Sequence, residues 1–516
     1  MSSISGQHFI GGEKVTGGEQ RFLAVNPASG GVLQPSFCEG TATEVARAAS
    51  LAERDFPAFL QVDSGQRAVL LDTIGDELLA AKDALIERAG LETALPPLRL
   101  AGELTRTVNQ LKMFARFIET GGHLQTRIVT ALPERQPQPR PDLRMTQLPL
   151  GPVAVFGASN FPLAFSVAGG DTAAALAAGC PVIVKGHPAH PGTSELVAQT
   201  IVRAVQKCAL PAGIFALLQG SSQQLGAALV SHPALRAVAF TGSQAAGRAL
   251  FDLAAARPEP IPLFAEMGSV NPLFILPQLL QTDAERLAAQ FTESVCLGVG
   301  QFCTKPGLLF AVRGGGLDNF VARLGDCFAR QPAATMLHAG IKLNYLAGLS
   351  RLQNSAGVTS VGEQRQTSAD SCAVYPALLQ TTAAVFFAQP QLADEVFGPA
   401  ALLVVCESFA QLLQAAQALK GQLSATIHAA TTEQADCRSL FAILQHKAGR
   451  LLLNSFPTGV EVCQAMMHGG PYPATSDSRF SSVGHDAIRR FLRPVCFQGF
   501  PAELLPVELR YGGTEQ

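Results

Sequence analysis

A cysteine in a glycine-rich segment has the setting of a nucleophile. Cys303 lies within GVGQFCTKPG, whereas the other ten cysteines lie mostly in apolar runs. A thiol attacks a carbonyl carbon only when it is accessible and deprotonated. An inert buried thiol is the commoner role of a free cysteine, but the polar, glycine-rich surroundings of Cys303 favour catalysis.

Two further residues carry side chains that would assist such a nucleophile. Glu266 follows an apolar run in FAEMGSVNP, where desolvation would raise the pKa of its carboxyl and suit it to act as a general base. Asn160, in FGASNFP, could donate its amide to a developing oxyanion. Each has a simpler alternative, since Glu266 could turn the chain into solvent and Asn160 could be a turn residue before a helix.

A glycine turn and a lysine have the types expected around a nucleotide. The segment FTGSQAAGR contains Gly242 and Ser243 between an apolar run and a helical pattern. Glycine lets the backbone approach a phosphate, and a helix N-terminus offers free N–H groups. Lys185 ends the run VIVK, where a cofactor ribose would lie. An ordinary tight turn and a solvated lysine are the alternatives.

The segments that must position these residues alternate between strands and helices. From 152 to 265 the predicted strands are PVAVFG, PVIVK, IFALL, RAVAF and PLFAE, and LAFSVAGGDTAAALAAG is one of the helices between them. This alternation predicts a parallel sheet with helices on both faces and ligands at the carboxyl ends of its strands. Two helices are predicted earlier in the chain over 40–90 and another over 101–120.

A second α/β set follows the first. Its predicted strands are LFIL, LLFAVR, ALLVVC, SATIHAA and RLLLN. The predicted helices lie near 282–296, 316–329, 407–419 and 432–445. The Pro- and Arg-rich segment over 131–149 should be extended and exposed, either as a linker or as an arm that pairs with another subunit. RRFLRPVCFQGF, near the C-terminus, is a closing strand or a second part of that arm.

Composition bounds the possibilities. A chain of 516 residues with 47% hydrophobic and 15% charged residues predicts two or three folded domains. A net charge of -2 disfavours nucleic acid as a partner. Eleven cysteines with no C-x-x-C spacing favour reduced thiols in the cytoplasm and no metal site. The N-terminus has no signal-peptide pattern, and the apolar stretch over 152–184 is interrupted by polar residues, so no membrane association is expected.

Seven segments occur in an order that resembles the aldehyde dehydrogenase superfamily over most of the chain. They are GASNFP, VIVKGHPAHPG, FTGS, EMGSVNP, GQFCTKPG, EVFGP and NSFPTG. The resemblance implies that Cys303 is the nucleophile and Glu266 the general base, with Asn160 and the backbone N–H of Cys303 forming the oxyanion hole. It also implies oxidation of an aldehyde to an acid with NAD(P) through a thioester on Cys303.

The same resemblance implies the cofactor contacts. Lys185 and Glu395 would hold the two riboses, and the turn at 242–243 would lie by the pyrophosphate. The further residues expected to contact the cofactor are His187, Ala158 and Ser159. NAD-preferring relatives often carry an acid at the position of Pro188, so its absence favours NADP. No arginine stands in GSSQQLG to bind a 2′-phosphate, so NAD use stays open.

Within the superfamily, four segments are most similar to dehydrogenases of α-ketoglutaric semialdehyde (2,5-dioxopentanoate) and to NADP-linked fatty aldehyde dehydrogenases. They are HPAHPGTSELV, FAEMGSVNP, GQFCTKPG and GVEVCQAMMHGGPYPATSDSRFSSVG. A semialdehyde that carries a carboxylate calls for a cation, and Arg106 and Arg479 are the candidates, although a structural ion pair is an alternative for either. Because the chain has no tryptophan, the expected aromatic lining is Phe161, Phe302 and Phe456.

The expected organisation follows the family. A Rossmann-like cofactor domain would comprise 1–130 and 150–265, a second α/β catalytic domain 266–455, and a β oligomerisation arm 131–149 and 480–516. Such an arm implies a homodimer or homotetramer. Three alternatives stay open: an acyl transferase that uses coenzyme A, a cysteine hydrolase that uses Cys303 and one of the ten histidines, and a silent structural protein on the same scaffold.

Overall fold

The computed structural model of the chain describes residues 4–363, 365 and 371–510. Residues 1–3, 364 and 366–370, which fall in the two predicted domains, lie outside the described residues. So do residues 511–516 of the predicted arm. The described part contains two seven-stranded sheets and three smaller ones.

The first sheet contains all five strands predicted between 152 and 265, and they are parallel. An N-terminal hairpin, not predicted from the sequence, extends the sheet by pairing antiparallel with the strand Phe215–Leu218. The order across the sheet is Leu263–Glu266, Ala237–Thr241, Val153–Phe156, Val182–Lys185, Phe215–Leu218, His8–Ile10 and Glu13–Val15. Because parallel strands end on one edge, Lys185, Thr241 and Glu266 all lie at the carboxyl edge of this sheet.

The second sheet contains the five other predicted strands, all parallel. It also has a sixth parallel strand and a short antiparallel edge strand that sequence patterning missed. The order is Thr359–Ser360, Ala377–Thr382, Ala400–Cys406, Leu308–Val312, Leu273–Ile275, Gln422–His428 and Ala448–Leu453. Central strands such as Ala400–Cys406 are buried throughout, as expected for a parallel sheet covered on both faces.

Helices surround both sheets. Those preceding or crossing the first sheet are Ala42–Leu60, Ser64–Ala80, Lys82–Thr93, Pro97–Glu119, Gly170–Ala178, Pro191–Lys207, Gln223–Ser231 and Gln244–Ala255. Those of the second are Pro277–Cys296, Leu317–Arg330, Ala339–Gln353, Ala383–Ala388, Phe409–Ala418 and Gln434–Leu444. None of the helices in the described ranges is long and apolar enough to cross a membrane.

Two helix predictions were wrong. The region 40–90 contains three helices, not two, because the chain breaks at Gln61 and again at Ala81. The helix predicted from Leu163 begins only at Gly170. The buried carboxylate of Glu103 accepts hydrogen bonds from the backbone N–H groups of Leu163 and Ala164, at 2.8 and 3.0 Å. The helix starts late because the carbonyl of Phe165 accepts from the backbone N–H of Ala158 and Gly169 donates to Ser166, so 163–169 forms turns in place of helical hydrogen bonds.

A three-stranded antiparallel sheet is formed by Arg127–Val129, Leu143–Pro149 and Leu492–Gln498. The C-terminal strand pairs with Leu143–Pro149 over seven residues, so RRFLRPVCFQGF does contribute a strand beside the predicted arm. Residues 131–142 contain no regular strand beyond the bridge between Leu132 and Arg140. The remaining pairs are Arg21–Val25 with Val32–Cys38, and Ala334–Thr335 with Ala373–Val374.

Candidate active site

The predicted base, Glu266, ends Leu263–Glu266, an edge strand of the first sheet, and is 4% exposed. The hydroxyl of Ser482 donates a hydrogen bond to its Oε2, and the Nε2 of His468 lies 2.9 Å from its Oε1. Burial acts to raise the pKa of this carboxyl, but the charge of His468 and the hydrogen bonds from His468, Ser482 and Cys303 outweigh it. The pKa is therefore lowered. The sequence-based expectation of a raised pKa was wrong because it took account of burial alone.

The predicted nucleophile, Cys303, lies in the loop before the strand Leu308–Val312. The side-chain amide of Asn271 fixes this loop by donating to the carbonyls of Cys303 and Lys305, at 2.8 and 3.0 Å. Burial raises the pKa of the Cys303 thiol well above its ordinary value, and the negative charge of Glu266 raises it further. The thiol is thus protonated unless a neighbouring group takes up its proton.

His468 contacts both of these groups. Its Nε2 lies 3.4 Å from the Sγ of Cys303. One ligand atom from each of Cys303, Glu266 and His468 lies within 4.8 Å of the other two. Sequence reasoning missed this histidine because it lies 165 residues from Cys303. The one available signal was its position in MMHGGPYPATSDSRF, a segment quoted above only for its family resemblance.

The segment 480–482 lies at the catalytic centre, although the sequence analysis assigned it to the arm. Ser481 accepts a hydrogen bond from the backbone N–H of His468 at 3.0 Å, and the N–H of Ser482 donates to the carbonyl of His468 at 2.9 Å. The two serines therefore fix the backbone of His468 and, through the Ser482 hydroxyl, the carboxylate of Glu266.

Asn160 follows the strand Val153–Phe156, and its side-chain amide donates to the carbonyl of Gln301 at 3.0 Å. Gln301 precedes Cys303 by two residues, so the structure brings the amide to the nucleophile's loop. An amide nitrogen carries two hydrogens, and one is left for an oxyanion. The role of Asn160 as an oxyanion donor stays a prediction.

A cavity of about 840 Å³ lies at the carboxyl edge of the first sheet and is lined by Ser243, Gly268 and Glu395 among others. The Oε1 of Glu395 is buried and has no hydrogen-bond partner among the described residues. Burial raises the pKa of Glu395 to about 7, and the positive charge of Lys305 opposes that shift. An unpartnered carboxylate oxygen at this cavity fits a ribose hydroxyl, so these residues suit a dinucleotide cofactor.

The turn after Thr241 also fits a cofactor. Gly242 donates its N–H to the carbonyl of Glu266 at 3.0 Å, and a Cβ at this glycine would lie 2.6 Å from the ring of Phe240. Ser243 caps the helix Gln244–Ala255 by accepting a hydrogen bond from Ala246. Free N–H groups at such a terminus favour a phosphate.

Lys185 ends its strand as predicted, and burial lowers the pKa of its ammonium to about 8. The charge of Glu39 acts in the opposite direction, so an acid that sequence reasoning overlooked lies in this part of the cleft. Glu39 accepts hydrogen bonds from the backbone N–H groups of Ser221 and Ser222.

His187 stacks on His190 with ring centroids 5.5 Å apart, and burial lowers the pKa of both rings. His190 is hydrogen bonded to the carbonyl of Ala158 through Nε2, at 2.8 Å. Ser159 follows in the same part-buried loop. The structure therefore links His187 with 158–159, although their contact with a cofactor stays a prediction.

The sequence matches the model of the aldehyde dehydrogenase family over residues 15–471. The chain belongs to the aldehyde dehydrogenase family. The family predicted from the sequence and the α/β fold class are both confirmed, and the chain is an enzyme that oxidises aldehydes.

Similarity to individual family members spans nearly the whole chain. Alpha-ketoglutaric semialdehyde dehydrogenase 2 of Azospirillum brasilense is 49% identical over 508 residues, which cover 98% of this chain and 97% of that protein. Alpha-ketoglutaric semialdehyde dehydrogenase of Acinetobacter baylyi is 44% identical over 516 residues, which cover 99% and 97% respectively. These two proteins are named for the substrate suggested by the sequence resemblance.

Solved aldehyde dehydrogenase structures share the fold. Betaine aldehyde dehydrogenase of Staphylococcus aureus in complex with NAD+ has a TM-score of 0.82 at 20% identity, covering 96% of this chain and 95% of that one. 3,6-anhydro-L-galactose dehydrogenase in complex with NAP has a TM-score of 0.81 at 20% identity, covering 95% and 99%. The chain thus has the fold of NAD(P)-dependent dehydrogenases.

Two of the three predicted aromatic substrate residues meet in this aldehyde dehydrogenase. The rings of Phe161 and Phe302 contact each other edge to face, with centroids 5.3 Å apart. The guanidinium of Arg99 lies over both rings, at 4.5 and 5.0 Å from their centroids. Phe456 instead packs against His428, with centroids 4.7 Å apart, and its role as a substrate residue stays a prediction.

The two candidate cations differ in placement. Arg479 lies on the surface with its side chain 79% exposed, paired with Asp477, which favours the structural ion pair over substrate binding. Arg106 lines a cavity of about 760 Å³, and its Nε and Nη2 are buried without a hydrogen-bond partner among the described residues. Burial lowers the pKa of Arg106, while the charges of Cys303 and Glu266 act to raise it.

A second arginine acts on the same thiol. The charge of Cys303 also opposes the lowering of the Arg450 pKa by burial. Arg450 donates through Nη1 to the carbonyl of Gly459 at 2.9 Å, and its Nε is buried without a partner in the described chain. Neither patterning nor resemblance singled out this residue.

Family membership bears on two of the three alternatives raised by the sequence, the cysteine hydrolase and the silent scaffold, and leaves the acyl transferase open. The cysteine hydrolase required a histidine beside Cys303, and His468 fulfils that requirement. The parallel sheet, the Lys185 strand end and the Glu395 cavity belong to the dehydrogenase fold, which a simple hydrolase leaves unexplained. A silent scaffold would have no reason to keep Cys303, Glu266 and His468 in mutual contact.

Proposed function

We propose that this enzyme oxidises α-ketoglutaric semialdehyde to the corresponding carboxylate, with NADP as the preferred cofactor. The observation that carries this proposal is the unpartnered guanidinium of Arg106, within electrostatic reach of Cys303 and Glu266. A buried arginine with free donors is suited to a carboxylate. The two semialdehyde dehydrogenases to which the chain is 49% and 44% identical support the same substrate.

The residues of the chain have distinct parts in this reaction. The Cys303 thiolate attacks the aldehyde carbon, and the Asn160 amide with the Cys303 N–H donates to the resulting alkoxide. Lys185, Ser243 and Glu395 would hold NADP, which would supply the hydride acceptor needed for the Cys303 adduct to become a thioester. Glu266 then accepts a proton from the water that hydrolyses the thioester. Its lowered pKa keeps it ionised, and therefore able to accept that proton, at neutral pH.

Arg106 selects the substrate by charge. Its cavity is also lined by Arg116 and by one acid, Glu461, so two arginines against one carboxylate leave the far end of the substrate in a region with a small excess of positive charge. A carboxylate bound there would satisfy the Nε and Nη2 donors that the chain leaves open. An unsubstituted fatty aldehyde would leave those donors buried and unpaired, which disfavours the fatty aldehyde alternative.

The test is a substrate panel with wild type, Cys303→Ala and Arg106→Met. The panel comprises α-ketoglutaric semialdehyde, succinic semialdehyde and pentanal, with NADP and NAD. We expect Cys303-dependent turnover that is fastest with α-ketoglutaric semialdehyde. Arg106→Met should lower kcat/KM for this substrate about 10- to 100-fold, since a hydrogen bond to a charged group contributes roughly 1.5–3 kcal/mol.

Two comparisons make the substrate test specific. Pentanal has the same chain length without the carboxylate, so its kcat/KM should change less than about threefold in Arg106→Met. Arg479→Met, at an exposed arginine, should leave both substrates unchanged. Equal losses for the semialdehyde and pentanal would contradict a carboxylate contact at Arg106.

The preference for NADP rests on the adenosine end of the cleft. Pro188 offers no carboxylate to repel a 2′-phosphate. Both Glu39 oxygens already accept hydrogen bonds from 221–222, and Lys185 contributes a positive charge nearby. NAD is expected to work less well. Pro188→Glu should reduce kcat/KM for NADP more than for NAD, and a wild-type enzyme that prefers NAD would contradict the proposal.

Assembly and location complete the proposal. The strand Leu492–Gln498 is at an edge of the three-stranded sheet, and an unpaired edge of seven residues suits pairing with another subunit. A homodimer or homotetramer in the cytoplasm is therefore proposed. The eleven unpaired cysteines support a reducing compartment. A monomeric mass by light scattering at working concentration would contradict the oligomer.

A further inference from the structure

A charged pair lies where the helix Pro97–Glu119 begins beside the candidate active site. Arg99 and Glu103 are one turn apart on this helix, and Nη2 of Arg99 lies 3.2 Å from Oε2 of Glu103. The side chain of Glu103 is 1% exposed and that of Arg99 is 24% exposed. A carboxylate is buried to this extent only where charged or hydrogen-bonding partners offset its desolvation. The reaction proposed above gives neither side chain a role.

The carboxylate of Glu103 holds the segment 158–165, called here the Asn160 loop. Its Oε1 accepts the hydrogen bonds from the N–H groups of Leu163 and Ala164. Burial raises the pKa of Glu103, and the charge of Arg99 is the largest influence that opposes this rise. Arg99 thus favours the ionised carboxylate, which binds N–H donors more strongly than a neutral acid does.

The guanidinium of Arg99 contacts two loops at once. Its Nη2 lies 3.4 Å from the carbonyl oxygen of Asn160, to which it donates a hydrogen bond. The guanidinium carbon lies 4.5 Å from the ring centroid of Phe161 and 5.0 Å from that of Phe302. Phe161 follows Asn160 in the chain, and Phe302 precedes Cys303. The cation is therefore attracted to one aromatic ring from each loop.

These contacts bear on the direction of the Asn160 amide. An oxyanion donor is effective only when it is aimed at the position where the negative oxygen develops. The hydrogen bond from the Asn160 amide to the carbonyl of Gln301 is one contact between the two loops, and the loops can still rotate about it. The guanidinium and the two rings provide a second contact between the same loops, which removes that freedom.

We propose that Arg99 is a positioning residue for the oxyanion hole, and that it fixes the Asn160 loop against the loop of Cys303. Glu103 supports it by holding both the guanidinium and the Asn160 loop. This inference rests on the proposed function in that Cys303 is the nucleophile and Asn160 the oxyanion donor. It does not depend on which aldehyde is the substrate.

The experiment measures the rate constant of NADPH formation in the first turnover, with saturating NADP and aldehyde. Arg99→Met should be slowed about 10- to 100-fold, because displacement of a catalytic group costs rate on that scale. The KM for the aldehyde should change less than about threefold, since substrate binding is not the step affected. Arg99→Lys keeps a cation near the rings and should retain at least about one third of the wild-type rate.

Two aldehydes distinguish positioning from a substrate contact. Pentanal and α-ketoglutaric semialdehyde should be slowed equally in Arg99→Met, because both have the carbonyl that the oxyanion hole acts on. A loss confined to the semialdehyde would indicate a contact between Arg99 and the substrate carboxylate, and would overturn the proposal.

A double-mutant cycle tests whether Arg99 acts through Asn160. Asn160→Ala alone should slow the first turnover about 10²- to 10³-fold, the range for loss of one oxyanion donor. Adding Arg99→Met to Asn160→Ala should slow it less than about threefold further, since the residue to be positioned is already absent. Losses that multiply would overturn the positioning role alone. An Asn160→Ala variant as fast as wild type would contradict the proposed oxyanion hole and the inference with it.

A matched control comes from the same helix. Lys112 pairs with the exposed Asp76 at 3.4 Å, so Lys112→Met also removes a cation with an acidic partner and should match wild type in rate. Circular dichroism during heating compares the folding of the two methionine variants. If Arg99→Met does not fold, Arg99→Gln takes its place in every measurement, with the same expected losses.

Discussion

Glu266 and Glu395 are two buried carboxylates at the same edge of the molecule, and the chain treats them in opposite ways. Glu266 accepts a hydroxyl hydrogen bond on Oε2, and its pKa is lowered. Its Oε1 lies 2.9 Å from Nε2 of His468 but, like Oε1 of Glu395, has no hydrogen bond of good geometry among the described residues. Glu395 has a buried Oε1 without a partner, and its pKa is raised to about 7. Lys305, its nearby cation, donates instead to the carbonyls of Val396 and Ala400.

The different surroundings of the two carboxylates suit them to different roles, one in catalysis and the other in cofactor binding. A carboxylate whose partners come from the protein is ready to act before any ligand arrives, as a general base must be. A carboxylate with one oxygen left open gains its partner only when a ligand supplies it. Within one site, the pKa of the residue proposed to react is lowered, and the pKa of the residue proposed to hold the cofactor is raised.

Glu266→Gln should have the largest effect on turnover, because it removes the general base and keeps the size and shape of the side chain. Turnover should fall about 10²- to 10⁴-fold, the range for loss of a general base. The first half-reaction does not require Glu266 as the water base, so stopped-flow measurements should still record a burst of reduced cofactor near one equivalent per subunit. Loss of the burst together with turnover would show that Glu266 is needed before the thioester forms and not for hydrolysis alone.

Glu395→Gln should alter cofactor binding more than chemistry. A ribose hydroxyl donates to the ionised carboxylate, so the Kd for NADPH in wild type should rise as the pH falls through about 7. The variant should bind roughly tenfold more weakly at pH 8 and lose this pH dependence. Because the chain has no tryptophan, the fluorescence of bound NADPH is a clean signal. A pH-independent Kd in wild type would contradict the role of Glu395.

Gly268→Ala tests the proposed contact between Glu395 and the ribose by displacing the carboxylate, and a smaller effect is expected than for Glu395→Gln. A Cβ at Gly268 would lie 2.0 Å from Oε2 of Glu395, so the carboxylate must shift. The KM for NADP should rise about three- to tenfold, corresponding to roughly 1 kcal/mol. Gly90→Ala is the matched control, because its Cβ would meet other atoms only at 3.8 Å. Equal KM values in the two variants would indicate that Glu395 does not hold the ribose.

Much of this architecture could be predicted from local patterns. Ten strands were predicted from apolar runs bounded by turns, and all ten are present, because strands buried on both faces leave a continuous apolar signal. The prediction of a helix from Leu163 was wrong because the carbonyl of Phe165 accepts a hydrogen bond from the N–H of Ala158, outside the predicted helix, and does not continue a helical ladder. Weak strands such as Thr359–Ser360 carry too few residues to give a pattern.

The residues of the candidate site also fall into two groups, those that local sequence could predict and those that it could not. Cys303, Glu266 and Glu395 stand in distinctive motifs, so sequence order and family resemblance could nominate them. His468 and Arg450 come from distant segments with no pattern of their own, and only the folded chain brings them to the thiol. The direction of the Glu266 pKa shift also depends on those distant partners, which is why local context gave the wrong sign.

The pairing of Leu143–Pro149 with Leu492–Gln498 imposes an order on biosynthesis. The first strand leaves the ribosome about 340 residues before its partner, a delay of roughly 17–70 s at 5–20 residues per second. During that interval the hairpin with Arg127–Val129 has an open edge on a nascent chain. Ser482 reaches Glu266 only after nearly the same interval. A chain whose synthesis stops between 453 and 482 would therefore have the strands of both large sheets, an aggregation-prone edge and an incomplete catalytic centre.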